Sequence, residues 1–329
     1  MLRQLQFGCG VPPGASFPII RCTLSRSDFP AELHRLLATL PDAFESAWII
    51  DHLQFDSGDV LEGWTTMTYL MGAHPHLHFG NMVLSQAYRN PALLAKMAAS
   101  LQYLSAHRLY LGIGTGWKED EYHAYGYPFP SPGTRVEELE EALHVIRALW
   151  TDAPATFTGQ HYRVANAWCE PKPDYPPPIM IGGKKSRMLR LIARHADWWN
   201  LDCLDGASAD ECRPLVEQLE RACVEVGRDP ATLRRTWFGW VACAPTTEEA
   251  RAIAEDKAGI IGTPAEVVEQ FRQYIELGFD YFMVGFPRFP DPTTVHLLAT
   301  EVIPILRREY TSNEASSSEA LKSWMNWRE

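Results

Sequence analysis

The sequence predicts an α/β fold closed as a (β/α)8 TIM barrel, with a long insertion between strands four and five. Three observations carry this. Short β-rich apolar runs alternate with helical patterns along the chain, and that alternation means a parallel sheet. About eight such runs occur, the number at which a parallel sheet closes on itself. The 329 residues are 46% hydrophobic and 22% charged, enough apolar surface for one large core.

The strands are expected, in order, at Leu5–Cys9, Ala47–Asp51, Leu77–Leu84, Arg108–Ile113, Pro178–Ile181, Asp197–Leu201, Thr236–Cys243 and Tyr281–Val284. Helical patterns fill the gaps. Asn90–Leu104 opens on a capping Asn with Pro91 at its first turn. Thr134–Trp150 sets Leu139, Leu143, Ile146 and Leu149 on one face. Met188–His195, Glu211–Val226 and Pro264–Leu277 follow.

Between the fourth and fifth strands lie more residues than one helix can use. Thr156–Arg163 reads there as a small hairpin, followed by a proline-rich stretch from Pro171 to Pro178. Long barrel loops usually serve as lids or walls. Tyr122, Tyr125 and Phe129 are expected to lend this one aromatic surface for a substrate. One barrel domain is expected over residues 1–310. Residues 311–329 form a polar tail, expected either to be flexible or to dock through a short helix bearing Leu321, Trp324 and Trp327.

Thirty basic and 41 acidic side chains give a formal charge of −11, which repels nucleic acid and anionic membranes, and no basic block overrides it. No apolar run is long enough to span a bilayer, and Met1–Leu5 lacks the apolar core of a signal peptide. A cytoplasmic protein is expected. Seven cysteines without a CxxC pair argue against a disulfide framework and a zinc ribbon, so they are read as reduced and buried.

Barrel active sites lie at the C-terminal ends of the strands, which sorts the candidates. The run from His74 through His76 to His78 leads into the third strand on the opposite rim, so it reads as a solvated loop. With no HExxH and no carboxylate cluster at metal spacing, no metal site is expected. Asp51 and His52 follow the second strand. His52 can move a proton near neutral pH, while Asp51 either orients a ligand group or satisfies loop backbone.

Gly112–Trp117 closes the fourth strand, where three glycines let a flat ligand approach and Thr115 offers a hydroxyl; the spacing is not the dinucleotide fingerprint. Gly182 and Gly183 end the fifth strand and open a helix whose start carries Lys184, Lys185 and Arg187. Cations there oppose the helix dipole, and an anion held by the free N–H groups would resolve the conflict, so the segment reads as a phosphate site. The alternative is a helix start whose cations point into water. Arg135 is expected to pair with Glu138 or Glu141. Trp64, Trp117 and Trp199 sit at or near strand ends, able to wall a planar ligand or to pack in the core.

Several stretches, in order, resemble the bacterial luciferase-like oxidoreductases, in particular the branch that uses the deazaflavin coenzyme F420. They are Trp48–Gln54, Leu61–Thr66, Tyr88–Lys96, Leu111–Glu121, Arg135 with Leu139–Leu143, and Pro178–Gly183 with Ala196-Asp197. The likeness runs from about Phe7 to Pro304. It implies a barrel with the cofactor across the strand C-termini, Asp51 and His52 over the reactive ring, and His52 as proton donor or acceptor. It also implies a non-prolyl cis peptide at Met82-Val83 against the ring's back face. Thr115 and Gly116 would flank the ring or side chain, and Gly182 and Gly183, with Lys184 beside them, would hold the phosphate.

Departures from the family pattern are Trp117, where its sugar-phosphate dehydrogenases carry a catalytic glutamate, and Ser105-Ala106-His107-Arg108 for Ser-Gly-Gly-Arg. Lys184 and Met188 stand for a glycine and a threonine in the phosphate segment. The implied activity is an F420-dependent oxidoreductase acting on a small organic substrate. The alternatives are an FMN-dependent two-component monooxygenase, fed by a flavin reductase, and a flavin-binding protein without catalysis. The expected partners are a small molecule, a second copy of the chain and, indirectly, a reductase for F420 or flavin.

Overall fold

The computed structural model describes residues 4–310. Eight parallel strands form the barrel: β1 (Gln6–Gly10), β2 (Ser46–Ile49), β3 (His78–Asn81), β4 (Leu109–Gly114), β5 (Ile179–Gly182), β6 (Trp198–Asp202), β7 (Arg234–Cys243) and β8 (Phe279–Gly285). Each pairs with the next in chain order. β8 pairs back with β1, Gly8 opposite Met283, so the sheet closes. All eight expected runs are barrel strands.

Most ends shift by one or two residues, and one run is split. The run Leu77–Leu84 is interrupted after Asn81, because the Met82-Val83 peptide is cis, and Leu84-Ser85 then pairs with the end of β4. This is the position at which the family resemblance placed a cis peptide.

The helices are α1 (Phe29–Ala38), α2 (Gly63–Ala73), α3 (Pro91–Leu104), α4 (Glu119–Ala124), α5 (Pro132–Thr151), α6 (Ser186–His195), α7 (Ala209–Glu225), α8 (Thr247–Ala254), α9 (Pro264–Glu276) and α10 (Pro292–Leu297). Their starts are chemically marked. Asn90 accepts from Ala92 N–H at 2.9 Å with Pro91 at the first turn of α3. Ser208 and Glu211 close a capping box on α7, and Thr246 and Glu249 one on α8. The α2 helix escaped the periodic reading because Trp64, Thr66, Met67, Leu70 and Met71 bury much of its circumference, leaving no clean polar face.

Aromatic side chains fill the barrel. Trp48 on β2 stacks on Tyr110 at 5.6 Å and meets Tyr281 edge-on at 5.8 Å. The indole fits because Gly8 and Gly80, on the two flanking strands, leave the space that a Cβ would take. Arg234 lies over Tyr281 at 4.8 Å and pairs with Asp280 at 2.7 Å. The barrel is therefore a packed core and not a channel.

The insertion between β4 and β5 holds α4, α5 and the expected hairpin, observed as Ala155–Thr158 against Arg163–Ala167. Its turn is tied down by Glu141, which accepts from the N–H groups of Gln160, His161 and Tyr162 at 2.7 to 2.9 Å. Glu141 is thus occupied, and Arg135 does not pair with it. Arg135 instead lies over the Phe129 ring at 3.8 Å and donates to Pro130 O at 2.9 Å.

His74 also departs from expectation. It is buried, not solvated, with Nε2 3.0 Å from His34 Nδ1, and His78 lies not in a loop but in β3, stacked on Tyr110 at 5.1 Å. Among the described residues no helix is long and apolar enough to cross a membrane, and the seven cysteines are free, six of them buried. The tail 311–329 lies outside the described residues.

Candidate active site

Two cavities meet at the C-terminal ends of the strands. The first, of about 280 Å³, is the more polar of the two and lies over β4, β5 and β6. The second, of about 170 Å³, lies over β1, β7 and β8 and is walled mainly by apolar side chains. His52, Met82, Trp117, Asp202 and Phe238 line both, so His52 stands where the chambers join.

The first chamber gathers the residues expected to hold the cofactor and move the proton: Asp51, His52, Met82, Val83, Thr115, Gly116, Gly182, Gly183 and Lys184. Their partners refine the expectations. Asp51 has both carboxylate oxygens committed. Oδ2 accepts from Ser85 N–H at 2.8 Å and Arg89 at 2.9 Å, and Oδ1 accepts from Arg89 at 2.8 Å. Arg89 also pairs with Glu62, the N-cap of α2. This network ties the ends of β2 and β3 to the start of α2. Asp51 therefore braces the rim, and of the two readings its geometry favours satisfied protein groups over a ligand contact.

His52 is held differently. Its Nδ1 lies 2.9 Å from Glu121 Oε1, while Glu121 Oε2 accepts from Leu53 N–H at 3.1 Å. Burial pushes the Glu121 carboxyl up, but the hydrogen bonds from His52 and the Leu53 amide outweigh it and hold it below its ordinary value. An ionised Glu121 can only accept, so Nδ1 carries a proton, and in the neutral ring Nε2 is an acceptor. Phe55 and Trp117 meet the imidazole edge-on at 5.2 and 5.6 Å, fixing its plane. Glu121 was missed as a site residue because it ends the acidic run Glu119-Asp120-Glu121, where only burial sets it apart.

At the other end of the chamber, Trp199 donates to Gly183 O at 2.9 Å and fixes the turn after β5. The α6 helix starts there with Lys185 at its N-cap and no capping side chain, leaving its first N–H groups open to a ligand. The cationic conflict is relieved differently than expected. Lys184 pairs with Asp205 at 3.1 Å, and Arg187 turns to the surface, to Glu137 at 2.7 Å. Only Lys184 of the three lines the chamber.

The aromatic expectations split. Trp117 walls both chambers and is 67% exposed. Trp199 is core, and Trp64 is buried at the start of α2. Tyr122, Tyr125 and Phe129 line neither chamber. Tyr122 is fully buried with its hydroxyl on Ser85, and Tyr125 reaches back to Leu53 O at 3.1 Å. The insertion instead supplies Trp117 and Glu121. The one metal-capable grouping among the described residues, Glu140, His144 and His195, sits on α5 and α6, away from both chambers, and Glu140 there already pairs with Arg194 at 3.2 Å.

The chain matches known proteins along most of its length. It is 27% identical over 305 residues to the F420-dependent glucose-6-phosphate dehydrogenase of Intrasporangium calvum, covering 80% of this chain and 91% of that one. It is 30% identical over 230 residues to the F420-dependent hydroxymycolic acid dehydrogenase of Mycobacterium tuberculosis, covering 68% and 62%.

Among solved structures, an F420-dependent secondary alcohol dehydrogenase with an F420-acetone adduct superposes with a TM-score of 0.77 at 18% identity, covering 92% of this chain and 99% of that one. The EDTA monooxygenase of Chelativorans sp. BNC1 gives 0.79 at 17%, covering 93% and 94%. Both share the fold. The family model described as luciferase-like monooxygenase matches residues 41–260, and with β2 through β7 and the cis peptide inside that span, the chain belongs to the luciferase-like family.

Proposed function

We propose that this protein is an F420-dependent oxidoreductase that moves a hydride between bound deazaflavin and a small organic substrate, with His52 handling the accompanying proton. The observation that carries the reading is His52 itself. Glu121 fixes its tautomer and its Nε2 is left as an acceptor where the polar and apolar chambers join. The F420-dependent names of the two relatives above support the choice of cofactor.

The polar chamber fits such a group. Gly114, Gly116, Gly182 and Gly183 leave its walls flat, Thr115 offers a hydroxyl, and the uncapped start of α6 with Lys184 suits a phosphate. Met82 and Val83 would back the ring and Thr115 and Gly116 would flank it, while Asp51 keeps the loop ends in place through Arg89. Bound F420 supplies a two-electron hydride carrier. When a hydroxyl-bearing carbon gives up its hydride, His52 Nε2 takes the hydroxyl proton; in the reverse direction it returns that proton to the carbonyl oxygen.

A cytoplasmic setting agrees with seven unpaired cysteines. A second copy of the chain would suit the exposed Tyr69 on α2 and Leu93, Tyr103 and Leu104 on α3. In the direction that reduces the substrate, a separate F420 reductase would return the cofactor to its reduced form.

The test is turnover of F420 followed by its absorbance across a panel of alcohols and ketones, with oxygen uptake on reduced FMN measured in parallel. F420-linked turnover that falls about 10²- to 10⁴-fold in His52→Ala, with F420 still bound, supports the reading. Oxygen uptake with reduced FMN and no F420-linked turnover would move the protein to the monooxygenases. Binding without any turnover would leave it a carrier.

A further inference from the structure

The apolar chamber has a chemistry of its own. Its walls come from Phe17, Ile19 and Ile20 after β1, Trp240 on β7, Phe286 after β8, and Trp117. Only two ionisable side chains line it, His52 and Asp202, and neither is a fixed cation. Two lysines come near, and both are engaged. Lys184 pairs with Asp205 at 3.1 Å, and Lys118, which lies over the Phe55 ring at 4.8 Å, pairs with Asp120.

A phosphate or carboxylate on a substrate needs charged donors, normally Arg or Lys, to replace its water. This chamber offers a carboxylate instead. Asp202 ends β6 and lines both chambers. Its Oδ1 accepts from Leu204 N–H at 2.8 Å, leaving Oδ2 with no hydrogen-bond partner among the described residues.

We propose that the apolar chamber is the substrate site, that it takes a small uncharged molecule with an apolar body and one hydroxyl or carbonyl head, and that Asp202 is the residue that turns anions away. The head sits by His52, and the body lies among Phe17, Ile19, Ile20, Trp240 and Phe286. This rests on the oxidoreductase reading for its meaning but not for its measurement. It separates the chain from relatives named for glucose 6-phosphate, a dianionic substrate that the chamber has no cation to hold.

The test compares cyclohexanol, cyclohexanecarboxylate and glucose 6-phosphate at low ionic strength, where charge effects are least screened. Binding is followed by calorimetry and by tryptophan emission, on the full chain with and without F420. Wild type is expected to bind cyclohexanol at least tenfold more tightly than cyclohexanecarboxylate and to ignore glucose 6-phosphate. In Asp202→Asn the carboxylate should gain about tenfold while cyclohexanol changes less than about threefold; Asp202→Ser should behave alike if the Asn variant is poorly folded.

Equal or tighter binding of either anion by wild type overturns the proposal. So does discrimination that survives both substitutions, or no cyclohexanol binding up to millimolar concentration. Because the binding is read without F420 as well, failure of F420 to bind would sink the oxidoreductase reading while leaving this one standing.

Discussion

His52 and Glu121 stand 69 residues apart in the chain and meet at 2.9 Å, Nδ1 to Oε1, on the rim of the barrel. One residue follows β2 and the other lies in α4 of the insertion, so the contact exists only when the barrel is closed and the insertion is seated. The pair turns an ordinary histidine into one with a defined acceptor nitrogen.

Glu121→Gln keeps the size of the side chain but lets an amide N–H face Nδ1, so the ring can adopt the opposite tautomer. Turnover is expected to fall by about 10²-fold, since a misplaced proton removes general acid–base help. The dissociation constant for F420 should move less than about threefold. Steady-state kinetics beside a binding titration check both numbers, and equal losses in the two would point to a collapsed site instead.

Asp51 and Arg89 form a buried, two-pronged pair, with side-chain exposures of 0% and 11%. Removing one partner strands the other charge, at a cost of about 3–5 kcal/mol. Arg89→Met should therefore destabilise the fold by that amount in a denaturant titration. Arg187→Met, whose partner Glu137 is half-exposed and screened by water, should leave the denaturation midpoint nearly unchanged.

The two rim carboxyls should shift stability with pH in opposite senses. Glu121 is held below the ordinary 4.5, so its contribution is present above that pH and is lost as pH falls through the folded value. Asp202 is exposed by surface area at the end of β6, but protein atoms crowd its carboxyl and make hydration poorer there. Burial therefore pushes its carboxyl above the ordinary 3.8, against the Leu204 amide and Lys184. Its contribution is full below 3.8 and is lost as pH rises through the folded value. Asp202→Asn should melt higher than wild type at neutral pH, the gap closing toward pH 3.8. Glu121→Gln should melt lower than wild type at neutral pH and converge in acid. Melting temperatures across pH 3 to 8 read both trends.

Gly116 is the glycine of the β4 turn whose replacement should hurt most directly. Its φ is +71°, and a Cβ there would overlap Tyr122 Oη. The backbone alone costs an L-residue about 1–2 kcal/mol. Gly116→Ala must in addition push Tyr122 off Ser85, so a loss above 2 kcal/mol is expected, with weaker F420 binding. Differential scanning calorimetry and the F420 titration would show it.

The barrel was legible because each strand is a short apolar run and the alternation is regular. Helix α3 was legible for a local reason, the Asn standing at its start. What could not be read depends on partners distant in sequence. Arg187 finds Glu137 fifty residues away, and Arg135 finds the Phe129 ring rather than a glutamate on its own helix. Tyr122 looked like pocket surface and is core, because its hydroxyl is taken by Ser85.

The site followed the same division. Asp51, His52, Thr115, Gly116, Gly182, Gly183 and Lys184 sit at strand ends, where a barrel puts its chemistry, and all line one chamber. Met82 and Val83 came from the family resemblance alone. Glu121 and Asp202 look like surface acids in the sequence and become site residues only through what surrounds them.

Trp117 lines both chambers and is 67% exposed, so it can report directly on the cofactor. The most direct test is a titration of the purified protein with oxidised F420 and, separately, with FMN, following tryptophan emission. F420 should quench with micromolar or tighter affinity and FMN negligibly, and most of the F420 signal should vanish in Trp117→Phe. Tighter binding of FMN than of F420, or no binding of either, would contradict the assignment.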